Sequence, residues 1–156
     1  MLIFEIGVGS VQRPGVWVGF TWGDYNGTTL RLAQNKTGKA LLLPCTRALK
    51  LALDSTKEEL GYFPYPSDHI LTKKDGSAMS YHSMARVMVK ERKRLGLMKY
   101  DQHALRYRGV RELAWADCTD DEIASYSGHT SKVMIIKYAG EALQIMRARQ
   151  AAAKRK

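Results

Sequence analysis

The alternation of apolar and polar positions predicts one β-hairpin early in the chain. Residues 29–34 alternate apolar and polar side chains, as expected for a strand with one buried face. Residues 35–38 are Asn, Lys, Thr and Gly, which form a turn signal, and the apolar run 40–43 then leads to Pro44. We therefore expect two antiparallel strands with Lys36 in or beside their turn.

Helical spacing and capping residues account for most of the remaining chain. Ser80 is a good N-cap for a helix that ends near Gly96. Thr119 and Glu122 have the spacing of a capping box, which opens a short helix that Gly128 ends. The expected helices are 16–22, 46–54, 80–96, 102–116, 119–128, 133–138 and 141–153. The predicted fold is mainly α with a small antiparallel β-hairpin.

Three local predictions complete this outline. The first 15 residues begin apolar and then favour a turn, because four residues interrupt them: Gly7, Gly9, Pro14 and Gly15. Gly140 is expected to separate the last two helices. The 80–96 helix is expected to face the core with Met84, Val87, Met88 and Leu95.

The excess of basic over acidic residues indicates which class of binding partner the protein favours. A chain of 156 residues fits one domain with a core of its own. Its 25 Lys and Arg against 15 Asp and Glu give a formal net charge of +10. Such an excess attracts polyanions, of which nucleic acid is the commonest inside cells, and the alternative is a merely basic soluble protein.

The composition also excludes several classes. Cys45 and Cys118 lack the pair spacing of a metal site, so we expect two reduced thiols, as in cytosolic proteins. Glu5 interrupts the apolar N-terminus, which is therefore not a signal peptide. No apolar run approaches the ~18 residues that a membrane span needs. We expect a soluble cytoplasmic protein.

Residues whose side chains could take part in catalysis cluster in the second half of the chain. His103 and Arg106 are three apart in a predicted helix, so they share one face. The Gly128-His129 pair lies at a predicted helix end, and Tyr138 follows nine residues after the histidine.

In this order, these residues resemble the His-x-x-Arg, Gly-His and Tyr signature of the tyrosine site-specific recombinases, the phage-integrase type. Arg13 and the segment 20–24 resemble the first-arginine turn of that family. Residues 35–39 resemble the hairpin that carries the family's catalytic lysine, here Lys36. The similarity covers nearly all of residues 7–145, and it implies the fold of the family's catalytic domain.

The resemblance implies a DNA strand transfer with Tyr138 as the nucleophile. The phenol attacks a DNA phosphodiester, giving a 3′-phosphotyrosyl intermediate and a free 5′-hydroxyl, so the bond energy is conserved for resealing. Arg13 and Arg106 would clamp the two non-bridging oxygens with paired donors.

The remaining implied roles belong to one lysine and two histidines. Lys36 would protonate the leaving 5′-oxygen, and His103 would act as general acid or base for the tyrosine proton. His129 would hydrogen-bond the phosphate in the transition state. The resemblance implies no cofactor and no metal, because cationic side chains take the place of a metal.

Each residue alone has an ordinary explanation. Arg106, beside Arg108 and Arg111, could belong to a solvated basic face, and Lys36 could decorate a turn. Tyr138 is one of eight tyrosines, most of which pack as amphipathic residues. Independent residues would not fall into the order and spacing of one family, so the set favours the functional interpretation.

The sequence departs from the family pattern in two small ways and one large way. Val11 stands where the family usually has glycine, and Ser127 replaces the usual apolar residue before Gly-His; both are expected to be local packing changes. Full recombinases also carry an N-terminal helical domain that closes a clamp around DNA. We therefore expect residues 1–156 to be a catalytic domain without that partner domain, with weak DNA affinity and with impaired or absent recombination by these residues alone.

Three functions remain open from the sequence. The first is a metal-independent strand transferase of bacterial or phage origin that acts on double-stranded DNA. The second is an inactive DNA-binding remnant, and the third is an enzyme similar to the type IB topoisomerases.

The family resemblance also implies self-association as a tetramer on DNA. The C-terminal helix and basic tail, residues 141–156, would then dock on a neighbouring protomer or fold back on its own domain. The apolar contact would come from Leu143, Ile145 and Met146.

Overall fold

Seven α-helices, a short 3₁₀ helix at Trp22–Asp24 and a two-stranded sheet form the described part of the chain. The computed structural model describes residues 2–33, 40–129 and 131–155. Its elements are α1 Leu2–Ser10, α2 Pro14–Trp17, β1 Thr29–Ala33, β2 Ala40–Pro44, α3 Arg47–Glu59, α4 Tyr81–Arg94, α5 His103–Trp115, α6 Asp120–Ser127 and α7 Lys132–Lys154. This confirms the prediction of a mainly α fold with a small antiparallel sheet. None of the described helices combines the length and the apolar character needed to cross a membrane.

The β-hairpin is antiparallel as predicted and has one buried face. β1 and β2 are antiparallel, with Leu30 opposite Leu43 and Leu32 opposite Leu41. These four leucines are buried, since alternate residues of a strand point to the same face. The predicted turn, with Lys36 at its centre, lies outside the described residues.

Two apolar cores meet along α5. The larger core contains both strands, α1, α3 and α4, and its fully buried side chains include Trp17, Phe20, Leu49, Leu53 and Met84. The second core joins α5, α6 and α7 through Val110, Ala114, Ile123, Ile135, Ala139, Ala142 and Leu143, and Val11 also belongs to it. The functional residues lie near the junction of the two cores.

Side-chain caps begin α4 and α6, and a glycine ends α6, as predicted. The Ser80 hydroxyl accepts a hydrogen bond from the Ser83 amide at 3.1 Å. At α6 the Thr119 hydroxyl accepts from the Glu122 amide at 3.2 Å, and the Glu122 carboxylate accepts from the Thr119 amide at 2.6 Å. Gly128 follows α6 in the left-handed region, with φ 70°, where glycine has no Cβ penalty.

The predicted turn at Gly7 and Gly9 is wrong, because both glycines lie inside α1. A Cβ on Gly7 would lie 2.8 Å from Leu105, and one on Gly9 would lie 2.8 Å from Leu49. The glycines therefore let α1 approach α5 and α3 closely, a packing function that a local turn signal does not reveal.

The predicted break at Gly140 is also wrong. α7 runs without interruption through Gly140, because Ala139, Ala142 and Leu143 are buried against the second core. Tertiary packing outweighs the roughly 1 kcal/mol that glycine costs inside a helix.

Three smaller predictions need correction. The helix expected over 16–22 is the shorter α2, Pro14–Trp17. α3 extends to Glu59 rather than ending near residue 54. In α4 Met84 and Met88 are buried as expected, whereas Val87 is 38% exposed and Leu95 is 53% exposed.

The end of α7 folds back on its own domain. Leu143 is buried in the second core, and Arg147 donates to Asp120 at 2.8 Å. Gln150 donates to both carboxylate oxygens of Asp117, at 2.5 and 2.6 Å. These contacts lie within one chain, and docking of residues 141–156 on a neighbouring protomer stays a prediction.

Candidate functional site

Arg106 is the centre of the site and is unusually buried for an arginine. It projects from α5, is only 4% exposed, and its Nη2 donates to the Ser127 carbonyl at 3.3 Å. The same Nη2 lies 2.9 Å from His129 Nε2. Its Nε is buried and has no hydrogen-bond partner among the described residues. Burial lowers the pKa of Arg106 from its usual value, and the nearby Arg13 charge lowers it further, while Tyr138 opposes the shift.

His129 is held between Arg106 and the last residue of α6. Its Nδ1 lies 2.6 Å from the Ser127 hydroxyl, and its amide donates to the same oxygen at 3.3 Å. Gly128, in its left-handed conformation, turns the chain so that the imidazole points back toward α5. Burial, followed by the charges of Arg106 and Arg13, lowers the pKa of His129 to about 4. The imidazole is therefore neutral at pH 7.

Tyr138 reaches the same site from α7. Its ring lies against Tyr107, with ring centroids 3.9 Å apart and planes tilted by 31°. The His129 ring is 5.1 Å away, also centroid to centroid. Burial raises the pKa of Tyr138, and the interaction with Tyr107 adds to this, whereas Arg106 opposes it. The phenol is thus protonated at rest.

The Arg13 side chain places a second positive charge near Arg106 and His129. It is exposed, with φ −68° and ψ 146°, directly before Pro14 opens α2. Its charge lowers the pKa of both Arg106 and His129, so the three groups share one electrostatic environment. The turn that carries Arg13 is anchored by Gln12, whose carbonyl accepts from Trp17 Nε1 at 2.9 Å.

Gln12 also connects the Arg13 turn to the His129 turn. Its Nε2 donates to the Ser10 carbonyl at 3.1 Å and to the Ser127 carbonyl at 3.4 Å. Gln12 is 2% exposed, so these bonds form away from water. The two turns are therefore held at a defined separation on either side of Arg106.

His103 is placed differently from the other predicted residues that the structure describes. His103 begins α5, one helical turn before Arg106, and its side chain is 48% exposed. Its Nδ1 lies 3.6 Å from a carboxylate oxygen of Asp101. The described contacts that join Arg106, His129 and Tyr138 do not include His103. Lys36 lies outside the described residues.

Sequence reasoning missed three residues of this site. Tyr107 was hidden because it follows Arg106 on a helix, where consecutive residues do not share a face. Ser127 was assigned to local packing, although a hydroxyl two residues before a histidine can bond to its ring. Gln12, beside Arg13, carried no signal of its own. Within the described ranges, no three His, Cys, Asp or Glu side chains are arranged to hold a metal ion.

The chain is similar to known proteins in family and in fold. Residues 1–144 match the phage integrase family. No curated protein sequence matches the chain.

Three solved structures illustrate the similarity in fold. XerA recombinase superposes with a TM-score of 0.79 at 16% identity, over 94% of this chain and 56% of that chain. A lambda integrase dimer bound to a COC′ core site gives 0.71 at 26% identity, over 88% and 50%. A lambda integrase tetramer bound to a Holliday junction gives 0.69 at 27%, over 88% and 41%. The chain spans about half the length of these relatives.

The order of the motifs, the architecture around Arg106 and the match over residues 1–144 lead to one assignment. The chain belongs to the phage integrase family, and its fold is that of the tyrosine recombinase catalytic domain.

Proposed function

We propose that this chain catalyses DNA strand transfer in site-specific recombination or integration, with Tyr138 as the nucleophile. The observation that carries the proposal is the convergence of Arg106, His129 and Tyr138 from three different helices or helix ends. Arg13 adds its charge from a fourth segment of the chain. Family membership supports the reaction class.

The electrostatics of Arg106 support an anionic ligand. A buried cation is costly unless a negative group accompanies it. No carboxylate forms an ion pair with Arg106 within the described part of the chain, and its partners are the neutral His129 and the Ser127 carbonyl. A DNA phosphate would supply the missing charge and could accept the free Nε–H, with Arg13 on another phosphate oxygen.

The proposed reaction balances without an added reactant. The Tyr138 oxygen attacks phosphorus, the bond from phosphorus to the 5′-oxygen breaks, and a 3′-phosphotyrosyl link replaces it. Because the Tyr138 pKa is raised, the phenol must lose its proton as it attacks, and we assign this transfer to His103. We assign the proton that the leaving 5′-oxygen receives to Lys36. A 5′-hydroxyl of another strand then reverses the step, and we propose that no metal takes part.

Double-stranded DNA is the proposed partner, in the cytoplasm of a bacterial cell. The formal charge of +10 favours binding to the phosphate backbone, which makes the affinity dependent on salt. Because lambda integrase forms dimers and tetramers on DNA, we propose self-association on the substrate.

A suicide-substrate experiment tests the proposal. The chain is incubated at low salt with nicked duplexes of randomised sequence, in which the short 5′-strand diffuses away after cleavage. We expect a detergent-resistant protein–DNA adduct from the unmodified chain and from the Tyr100→Phe control. Tyr138→Phe is expected to form none.

Two outcomes would contradict the proposal. An adduct that persists in Tyr138→Phe would identify a different nucleophile. Salt-sensitive DNA binding without any adduct would support the inactive DNA-binding remnant instead.

A further inference from the structure

We infer that Ser127 is a positioning residue of this site: its hydroxyl fixes the proton of His129 on Nδ1, so that Nε2 accepts from Arg106 and holds the guanidinium. The catalytic consequence rests on the proposed function, whereas the position of the proton does not. This goes beyond the expectation that Ser127 is only a packing residue.

The hydroxyl of Ser127 has one proton and two lone pairs to account for. It donates its proton to the Ile123 carbonyl, one helical turn earlier, at 2.6 Å. One lone pair accepts from the His129 amide at 3.3 Å. The remaining lone pair faces His129 Nδ1 at 2.6 Å, so it can only accept, and Nδ1 must carry the proton.

The opposite side of the imidazole leads to the same assignment. Arg106 Nη2 lies 2.9 Å from His129 Nε2, and a guanidinium nitrogen donates but cannot accept. If Nε2 carried a proton, the N–H of His129 and the N–H of Arg106 would point at each other and no hydrogen bond could form. The tautomer with Nδ1–H and a free Nε2 lone pair satisfies both contacts, whereas the other tautomer fails both and the doubly protonated ring fails the contact with Arg106. The pKa of about 4 for His129 agrees with a neutral ring at pH 7.

The assignment changes the part that His129 plays toward DNA. Without DNA, Arg106 occupies Nε2, and a phosphate contact through that atom would require the proton to move there from Nδ1. In this state His129 orients Arg106, together with the Ser127 carbonyl, which accepts from the same Nη2 at 3.3 Å. Ser127 thus holds Arg106 in two ways. Its carbonyl accepts directly from the guanidinium, and its hydroxyl orients His129, which in turn contacts Arg106.

The chain contains a matched control for Ser127. Ser10 is also fully buried at the last position of a helix, and its hydroxyl donates to the Ile6 carbonyl at 2.6 Å. It accepts from the Gln12 amide at 3.3 Å. The two serines differ in the contact with an imidazole, so Ser10→Ala removes the same backbone bonds and leaves His129 untouched.

The first test is the tautomer of His129, measured by long-range ¹H–¹⁵N NMR at pH 7 without DNA. His129→Gln assigns its signals among the four histidines. We expect the Nδ1–H pattern in the unmodified chain and in Ser10→Ala, and loss of that single pattern in Ser127→Ala. Ser127→Thr, which keeps a hydroxyl, is expected to restore it.

The second test is the rate of covalent adduct formation on the nicked substrate. Ser127→Ala is expected to be roughly 10- to 100-fold slower than the unmodified chain, the range typical of residues that orient a functional group. Ser10→Ala is expected to stay within about threefold, and Ser127→Thr to recover most of the rate.

The two proposals fail in different ways. An Nε2–H or doubly protonated His129 in the unmodified chain overturns the inference, whatever the activity. An unchanged tautomer in Ser127→Ala, with the rate of Ser10→Ala, overturns it as well. The expected tautomer with no adduct at all would leave the inference standing and refute the proposed function.

Discussion

The ends of α1 and α6 are built in the same way and differ at one position. Each helix ends with a buried serine whose hydroxyl donates to the carbonyl four residues earlier at 2.6 Å, Ser10 to Ile6 and Ser127 to Ile123. In each case the next residue is left-handed, and the amide after it donates back to the serine at 3.3 Å. One turn leads to Arg13 and the other to His129.

The left-handed residue is valine in one turn and glycine in the other. Gly128 has φ 70°, a conformation that glycine adopts without steric cost. Val11 has φ 56°, where a β-branched side chain is strained, yet it is 2% exposed and belongs to the second core. The α6 turn therefore follows from local chemistry, whereas the α1 turn exists because tertiary packing compensates its strain.

The largest expected effect comes from Gly109, which supports only the α1 turn. A Cβ there would lie 2.3 Å from the Val8 carbonyl oxygen and 2.9 Å from Val11 Cγ2, so α1 and α5 must separate. We expect Gly109→Ala to lower the free energy of unfolding by about 3 kcal/mol in urea denaturation. Gly15→Ala is the control, because nothing lies within 4 Å of its added Cβ. Equal midpoints for the two variants would show that the helices are not in close contact.

Through His129, acid is expected to weaken the α6 turn and lower the free energy of unfolding by about 2 kcal/mol. The His129 pKa is about 4 in the folded chain and ordinarily near 6.5, so the unfolded chain takes up the proton first as the pH falls. The stability due to the neutral ring is complete above pH 6.5 and is lost as the pH approaches 4. Urea midpoints at pH 7 and pH 4.5 measure the loss, and His129→Gln should remove this component. The same pH dependence in both proteins would contradict the assignment.

Gln12→Met tests the connection between the two turns. Methionine keeps most of the volume but cannot donate to the Ser10 and Ser127 carbonyls. We expect a loss of about 1.5 kcal/mol in stability and a slower adduct formation, since the Arg13 turn is no longer tied to Arg106. Gln144→Met, at an exposed position of α7, serves as the control. A Gln12 variant as stable as the control would mean that the turns are held independently.

The smallest expected effect comes from the left-handed residues themselves, Val11 in the α1 turn and Gly128 in the α6 turn. With φ at 56°, alanine keeps the Cβ strain of Val11 and glycine removes it. We expect Val11→Gly to be more stable than Val11→Ala by about 1 kcal/mol, the reverse of the usual order, and Gly128→Ala to cost a similar amount. Thermal unfolding of the three variants measures both differences. If Val11→Ala is the more stable of its pair, the left-handed conformation is not a source of strain.

Much of the fold could be predicted because its signals are local. The Thr119 capping box, the Ser80 N-cap and the Gly128 helix end each depend on residues within one helical turn of each other. The hairpin followed from the alternation of side chains in residues 29–34. The order of the motifs, from Arg13 to Tyr138, could be recognised because each candidate residue is identified by its immediate neighbours in the sequence.

Only the tertiary structure decided what those elements do together. Gly7 lies inside α1 where Leu105 of α5 packs against it, and Gly140 lies inside α7 because Ala139, Ala142 and Leu143 are buried in the second core, which no local signal records. The ring contact between Tyr107 and Tyr138 joins residues 31 positions apart, on helices that packing alone brings together.

The sequence by itself determined the family and the capped helix ends at Ser80, Thr119 and Gly128, because capping and turn preferences act over a few residues. Tertiary structure decided the left-handed Val11, the burial of Arg106 and the contact of Ser127 with His129. These depend on which distant surfaces exclude water from one another. That outcome is a property of the whole packed chain and not of any one segment.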